Sequence, residues 1–350
     1  MTRHETALSI LHNGTVIPAT PLALTENREF DESRQRLLTR YYLEAGAGGI
    51  ATAVHSTQFE IRDPKFNMFE KVIASVSDEI SRYEKETGKT VVKVCGVCGK
   101  AEQAVREANI AKSLGYDAVL LSPGGLKDLT EDELLERTKA VAAVMPVIGF
   151  YLQVAVGGRV FTYDYWRRFC EIENTVAIKC ASFNRYTTID VVRAVATSPR
   201  RDEITLYTGN DDNIIADLLT PYSFTVDGKT YTKRFTGGLL GHWTVWTKKI
   251  VELFPLLQNC DATPELMKIA AEMTDMNAAV FDTANNFAGC IAGMHEVLRR
   301  QGLLRGIWCL NPAECLSEGQ EAELDRVQRM YPHLTDDDFV REFLARHEKI

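Results

Sequence analysis

The stretch TVAIKCAS, residues 175–182, sets Lys179 inside a short run of β-branched and small apolar residues. A run of that kind is a strand buried on both faces, the form strands take in parallel sheets covered by helices. Seven further runs share its character, at residues 16–20, 49–54, 90–95, 118–122, 147–152, 204–208 and 238–242. Together they make eight, recurring at intervals of roughly 25 to 30 residues with amphipathic stretches between them, the rhythm of consecutive βα units. Eight such units close a ring, so the chain is expected to fold as an α/β protein, a (β/α)8 TIM barrel.

The intervening stretches carry helix signals. Residues 31–45 open on Asp31, AEQAVREANIAKSLG ends on a C-cap glycine at Gly115, and TEDE from Thr130 reads as an N-cap followed by acids in the first turn. After the eighth strand the chain reads as helix over 244–257 and again, without a break, over 263–300. No linker rich in Pro, Ser or Gly interrupts it. Residues 1–258 are therefore expected to form the barrel, and 259–350 a C-terminal helical extension packed on it. Asp227-Gly228 marks a two-residue hairpin turn between alternating segments, an insertion at about 222–236. It falls between the seventh helix and the eighth strand, on the N-terminal face, so a role in stability or in contact between copies is expected of it rather than catalysis.

Composition narrows the function. Hydrophobic residues at 45% and charged residues at 25% are those of a soluble globular protein, and no run approaches the ~20 apolar residues of a membrane span. Forty basic residues against 48 acidic ones leave a net charge of −8, the wrong sign for binding phosphate backbones. The expected partners are a small molecule and further copies of the chain, a dimer or tetramer, and neither nucleic acid nor membrane. The apolar stretch between Ala7 and Leu11 is too short for an export signal, so a cytoplasmic enzyme is expected. Eight scattered cysteines read as reduced thiols, and Cys95 with Cys98 is a lone CxxC, Cys309 and Cys315 being too far apart to complete a zinc site.

Familiar motifs fail one by one. Gly46, Gly48 and Gly49 follow a helix where a dinucleotide loop must follow a strand, and Gly88-Lys89-Thr90 lacks the upstream glycine of a phosphate loop. His295-Glu296 meets Arg299 where a zinc protease needs its second histidine, and there is no GxSxG elbow. No metal and no cofactor is expected.

Lys179 is what remains. A lysine is almost never fully buried without a reason. Desolvation lowers an ammonium pKa by up to about 3 to 5 units, and the free amine attacks a carbonyl to form an imine. The plain alternative is a lysine that snorkels to the strand end or pairs with an acid. Tyr151 ends the neighbouring strand in VIGFYL and is either core or a proton relay. His55, Ser56 and Thr57 follow the second strand, where their hydroxyls and N–H groups either hold a carboxylate or cap a turn.

Taken in order, these segments resemble the dihydrodipicolinate synthase and N-acetylneuraminate lyase family of class I Schiff-base aldolases, over roughly residues 12–315. GTVIPATPLALTENREFD is similar to the family's first strand and turn, AVHSTQFE stands in place of its GTTGE loop, and SPGGL follows the fourth strand. FYLQVAVGG stands where a YNxPxxxG motif is expected, AIKCAS matches the IKxxS strand of the Schiff-base lysine, and GND and GIWCLNPAECLSE resemble later segments. The resemblance implies that Lys179 forms the imine, that Tyr151 relays protons, that Ser56 and Thr57 hold the carboxylate, and that Gly209 and Leu240 line the pyruvyl pocket.

Three positions depart from the pattern. Val156 stands where the synthases carry an arginine for the aldehyde's carboxylate, Ser122-Pro123-Gly124-Gly125 replaces a tyrosine contributed across a dimer contact, and His55 replaces the first glycine of the loop. The chain is therefore expected to be a lyase on 2-oxo acids, by aldol cleavage, addition or dehydration. Asp211, Asp212, His55 and His242 suggest hydrogen bonding to a polyhydroxylated distal half, as in a 2-keto-3-deoxy sugar acid. Two rivals are a metal-dependent barrel lyase using His55, His242 and Asp211 or Glu60, and a binding member of the family without catalysis.

Overall fold

The computed structural model describes residues 1–347. Its strands are β1 Val16–Pro18, β2 Gly49–Thr52, β3 Val92–Val97, β4 Ala118–Leu121, β5 Val147–Leu152, β6 Thr175–Ala181, β7 Thr205–Thr208, β8 Tyr222–Val226, β9 Lys229–Lys233 and β10 Gly237–Leu240. Eight of them pair in parallel in the order β1-β10-β7-β6-β5-β4-β3-β2, and a bridge between Ala19 and Ala51 brings the two ends of the row together. The (β/α)8 barrel read from the run spacing is the fold observed.

Helices follow the strands in turn: α1 Arg3–Asn13 precedes β1, then come α2 Glu32–Ala45, α3 Phe69–Thr87, α4 Ala101–Ser113, α5 Glu131–Ala142, α6 Tyr163–Phe169, α7 Arg185–Thr197, α8 Ile214–Leu219 and α9 Thr247–Asn259. Their starts are set by the residues the sequence offered. Asp31 accepts from the Arg34 N–H at the head of α2, and Thr130 forms a reciprocal capping box with Glu133 at the head of α5. Sequence periodicity did not announce α1. It closes the N-terminal end of the barrel, burying Ala7 and Leu11 among the lumen side chains, and the Tyr207 hydroxyl donates to the Leu11 carbonyl at 2.7 Å.

Strand parity decides what reaches the lumen. Ile148, Phe150 and Leu152 of β5 and Ala177 and Ala181 of β6 pack inside, whereas Val147, Tyr151, Ile178 and Cys180 pack outward against the helices. The hairpin β8–β9 turns at Asp227 and Gly228, both at positive φ (51° and 77°) as a tight two-residue turn requires, and it lies against α7.

The extension corrects one expectation. Residues 263–300 are two helices, α10 Pro264–Val280 and α11 Cys290–Arg300, and the segment 281–289 between them leaves helical geometry at Asp282, Asn286 and Phe287 (φ 56°, 53° and 68°). Asp282 is the reason. Its carboxylate accepts from Asn285 Nδ2, the Gly289 N–H and the Ser317 hydroxyl, bonds that a continuing helix would forfeit. Beyond it, α12 Gln320–Met330 packs against α10 and α13 Asp337–His347 against α2. Residues 348–350, the end of the expected extension, lie outside the described residues. Among the described residues no helix is long and apolar enough to cross a membrane.

Candidate active site

Lys179 shares its parity with Ala177 and Ala181, so β6 sends its side chain into the lumen, at the C-terminal end of the barrel. The stem lies over Gly209, where an added Cβ would stand 2.5 Å from Lys179 Cε; the glycine is what makes room. The residue is 7% exposed, its Nζ sits 4.5 Å from the centroid of the Phe150 ring, and it makes no hydrogen bond to another described residue. A cavity of about 50 Å³ opens beside it, lined at this end by His55, Ser56, Phe150, Lys179, Gly209 and Asp211.

Asp211 reaches the cavity from the loop after β7. Its Oδ1 accepts from the His242 N–H at 2.9 Å. Burial pushes the Lys179 amine down and the Asp211 carboxyl up, against the attraction of the two charges for one another. Both shifts run toward the neutral forms, which brings the free amine within reach nearer neutral pH than in an ordinary lysine. His55 is pushed down to about 4 by burial and by the Lys179 charge, which leaves its ring neutral at pH 7.

The turn His55–Thr57 is held between two residues at positive φ, Ala53 at 60° and Gln58 at 66°. The Ser56 hydroxyl donates to the Ala19 carbonyl at 2.5 Å and the Thr57 hydroxyl to the Thr20 carbonyl at 2.7 Å, tying the turn to the end of β1. Below it Arg62 donates to the Ala53 and Gly96 carbonyls and pairs with the buried Glu107 at 3.0 Å. Gln58 Oε1 accepts from the Leu310 N–H, joining this rim to the C-terminal extension.

Other expected residues lie elsewhere. Tyr151 faces outward: its ring stacks on Trp166 with centroids 5.5 Å apart and its oxygen accepts from the Phe161 N–H, so it cannot meet Lys179 across the lumen. The lumen residue paired in register with Lys179 is Phe150. Leu240 likewise packs in the outer layer, and Gly241 lines the cavity in its place. Thr57 is fully buried behind Ser56. His242 contributes its N–H to Asp211, but its ring packs edge-on to Trp246 and lines a separate cavity with Met273 and Met276. Asp212 does not line the site, and Glu60 is exposed. The His55, His242 and acid set of the metal rival does not converge, and among the described residues no three His, Cys, Asp or Glu side chains gather as a metal site.

The residues that sequence reasoning missed form the roof. Phe281, Phe287, Cys290 and Met294 come from the junction of α10 and α11, and Phe183 from the turn after β6. The weak helix formers Asp282, Thr283, Asn285, Asn286 and Gly289 were the local sign of a break, but nothing local places the break over the cavity, and one of the bonds that fix it comes from the distant Ser317.

No family model matches the chain. Among curated proteins it is similar to a 4-hydroxy-tetrahydrodipicolinate synthase of Clostridium novyi (strain NT), 24% identical over 244 residues, spanning 59% of this chain and 76% of that one. Among solved structures it matches dihydrodipicolinate synthase from Oceanobacillus iheyensis with a TM-score of 0.72 at 15% identity, over 95% of this chain and 100% of that one. The resemblance to the dihydrodipicolinate synthase and N-acetylneuraminate lyase family holds. The second half of that name is represented by N-acetylneuraminate lyase from Fusobacterium nucleatum complexed with pyruvate, matched with a TM-score of 0.70 at 15% identity over 91% of this chain and 97% of that one. In the stretch that resembles the family's YNxPxxxG motif, the side chain facing the lysine is a phenylalanine.

Proposed function

We propose that the protein is a class I lyase that acts on 2-oxo acids through an imine at Lys179. One observation carries the reading: a buried lumen amine, pushed toward its free form and left without a hydrogen-bond partner, at the closed end of a small cavity. The cavity of about 50 Å³ has room for a few water-sized groups, the scale of a pyruvyl unit.

The substrate carboxylate rests against Ser56 and the 55–57 turn, and the amine attacks the C2 ketone. Loss of water from the carbinolamine gives the iminium. Phe150 has no proton to give, so the proton work falls to Asp211, the acid whose carboxyl is raised toward neutrality by burial. As an acid it protonates the departing hydroxyl. As a carboxylate it takes the C4 hydroxyl proton while the C3–C4 electron pair passes into the iminium. The enamine then picks up a proton at C3, and water releases pyruvate and Lys179. His55, neutral and with little affinity for a proton, acts as a hydrogen-bonding wall. Dehydration of a 3-deoxy acid would start from the same imine.

Incubation with pyruvate and borohydride tests the reading, since reduction freezes the imine as a secondary amine. Mass is expected on the peptide containing Lys179 and is lost in Lys179→Ala. Labelling at another lysine, or none with any 2-oxo acid, removes the mechanism and leaves the binding role. Association into a homo-oligomer is proposed alongside, and a monomeric mass by light scattering removes it.

A further inference from the structure

The roof of the cavity speaks to the far end of the substrate, an inference that rests on the Lys179 reading. Beyond the reacting groups the cavity is walled by Leu152, Val156, Phe183, Phe281, Phe287 and Met294, and among the described residues Gln153 is the one polar side chain other than the Cys290 thiol lining this part. Phe183 and Phe287 meet edge-to-face with ring centroids 5.8 Å apart. Each is held there from a left-handed backbone, φ 51° and 68°, a conformation that bulky residues rarely adopt.

Neither position is loose. The Phe183 N–H donates to Asn210 Oδ1, and Asn210 is fully buried with its amide on Asp217 and Thr188. The Phe287 N–H donates to the Asp282 carbonyl, inside the loop that the Asp282 carboxylate ties together. Strained backbone over-determined by its surroundings gathers at ligand clamps. Here two unrelated segments spend it on the same act, bringing two aromatic rings together at one mouth.

The chemistry of that mouth excludes two kinds of substrate. Of the four expected partners for distal hydroxyls, Asp212 and the His242 ring lie outside the cavity, while Asp211 and His55 line it beside Lys179 rather than at the mouth, where a polyol packed against apolar side chains leaves its hydroxyls unpaired. No cationic side chain other than Lys179 and the neutral His55 lines the cavity among the described residues, so a second carboxylate has no partner either. An apolar group gains by burial in the same place.

We infer that the substrate is a 4-hydroxy-2-oxo acid whose pyruvyl half fills the enclosed space of about 50 Å³ and whose C4 bears an apolar, ring-sized substituent lying outside that space, against the partly exposed Phe183 and Phe287 at its mouth. Cleavage breaks the C3–C4 bond, sends its electron pair into the Lys179 iminium and the C4 hydroxyl proton to Asp211, and releases an apolar aldehyde. Protonation at C3 and hydrolysis of the imine release pyruvate, and the water used is the one lost when the imine formed, so no other reactant is consumed.

The test measures kcat/KM for pyruvate release from 4-hydroxy-2-oxo-4-phenylbutanoate and from a 2-keto-3-deoxyhexonate, beside borohydride trapping with pyruvate on the same protein. The aryl acid is expected to be preferred by at least about 10-fold, and Phe287→Ser to lower that ratio by roughly 10- to 200-fold, the range for a lost apolar contact in a specificity pocket. If Phe287→Ser does not fold, Phe183→Leu reads the same ratio. Equal or better cleavage of the hexonate, or cleavage of neither acid by a protein that traps pyruvate, overturns the inference and leaves the Lys179 reading intact. Absence of the pyruvate adduct overturns that reading and this inference with it.

Discussion

Two lysines of this barrel are buried in parallel strands, Lys93 in β3 and Lys179 in β6, and they have opposite fates. They are 3% and 7% exposed, and burial pushes both amines down, Lys93 to about 8. Lys93 has the parity of Cys95 and Val97 and points outward to α3, where its Nζ donates to the Ser77 carbonyl at 3.0 Å, the Ser77 hydroxyl at 2.9 Å and the Ser81 hydroxyl at 2.7 Å. All three of its protons are engaged. Lys179 points inward, over a phenyl ring and into a cavity, with none engaged. Burial therefore does not mark a nucleophile by itself. An amine with a free lone pair also needs space in front of it and no acceptors to hold its protons.

The largest expected effects separate this pair. Lys179→Ala should lower turnover by on the order of 10⁴-fold or more, as removal of a covalent nucleophile does, and leave the fold intact. Lys93→Met should leave turnover and the borohydride adduct in place while changing stability and its pH dependence. The depressed folded pKa of Lys93 means that the unfolded chain binds more protons between about 8 and the ordinary 10.5. Lys93 therefore adds stability as pH rises through that window, and Lys93→Met should lose this part of the rise in urea midpoints. Loss of the adduct in Lys93→Met would break the comparison.

Asp211→Asn is the next largest. It keeps the shape of the side chain and removes the proton acceptor, so kcat should fall by roughly 10²- to 10⁴-fold. The pH profile gives a signed check. The free amine of Lys179 appears at lower pH than that of an ordinary lysine, so adduct formation should rise with pH through the neutral range. The Asp211 charge holds the Lys179 pKa up, and its removal should move that rise to lower pH. An unchanged profile would show that the two groups do not communicate.

The floor of the site was legible in the sequence and its roof was not, for physical reasons. A β-branched run has period 2 and little else to specify, so the strands around Lys179, Gly209 and the 55–57 turn could be placed from the chain alone. The same periodicity makes a one-residue error reverse a side chain completely. Tyr151 and Leu240 were each placed on the wrong face by one position, with Phe150 and Gly241 the true lining residues. Lys93 sat in a run as apolar as that of Lys179, and only parity tells the two apart. Residues 281–289 read as helix only because helical stretches flank them on both sides; Asp282, Thr283, Asn285, Asn286 and Gly289 are weak helix formers, and the bonds of Asp282 that complete the break reach to Ser317, which no local pattern shows.

Tyr151→Phe gives the smallest effect and the sharpest test of parity. The hydroxyl accepts from the Phe161 N–H at 3.2 Å on the outer side of β5, while the ring is fixed between Phe161 and Trp166. Deleting the oxygen leaves that N–H short of a partner, which should cost about 1 kcal/mol in stability by urea denaturation. Turnover should stay within about 3-fold of the wild type, since a proton relay would cost roughly 10²-fold or more. A large loss of kcat with an unchanged fold would mean that a group on the helix side of the strand reaches the imine. The division between inward and outward residues would then fail at the strand on which the Lys179 site depends.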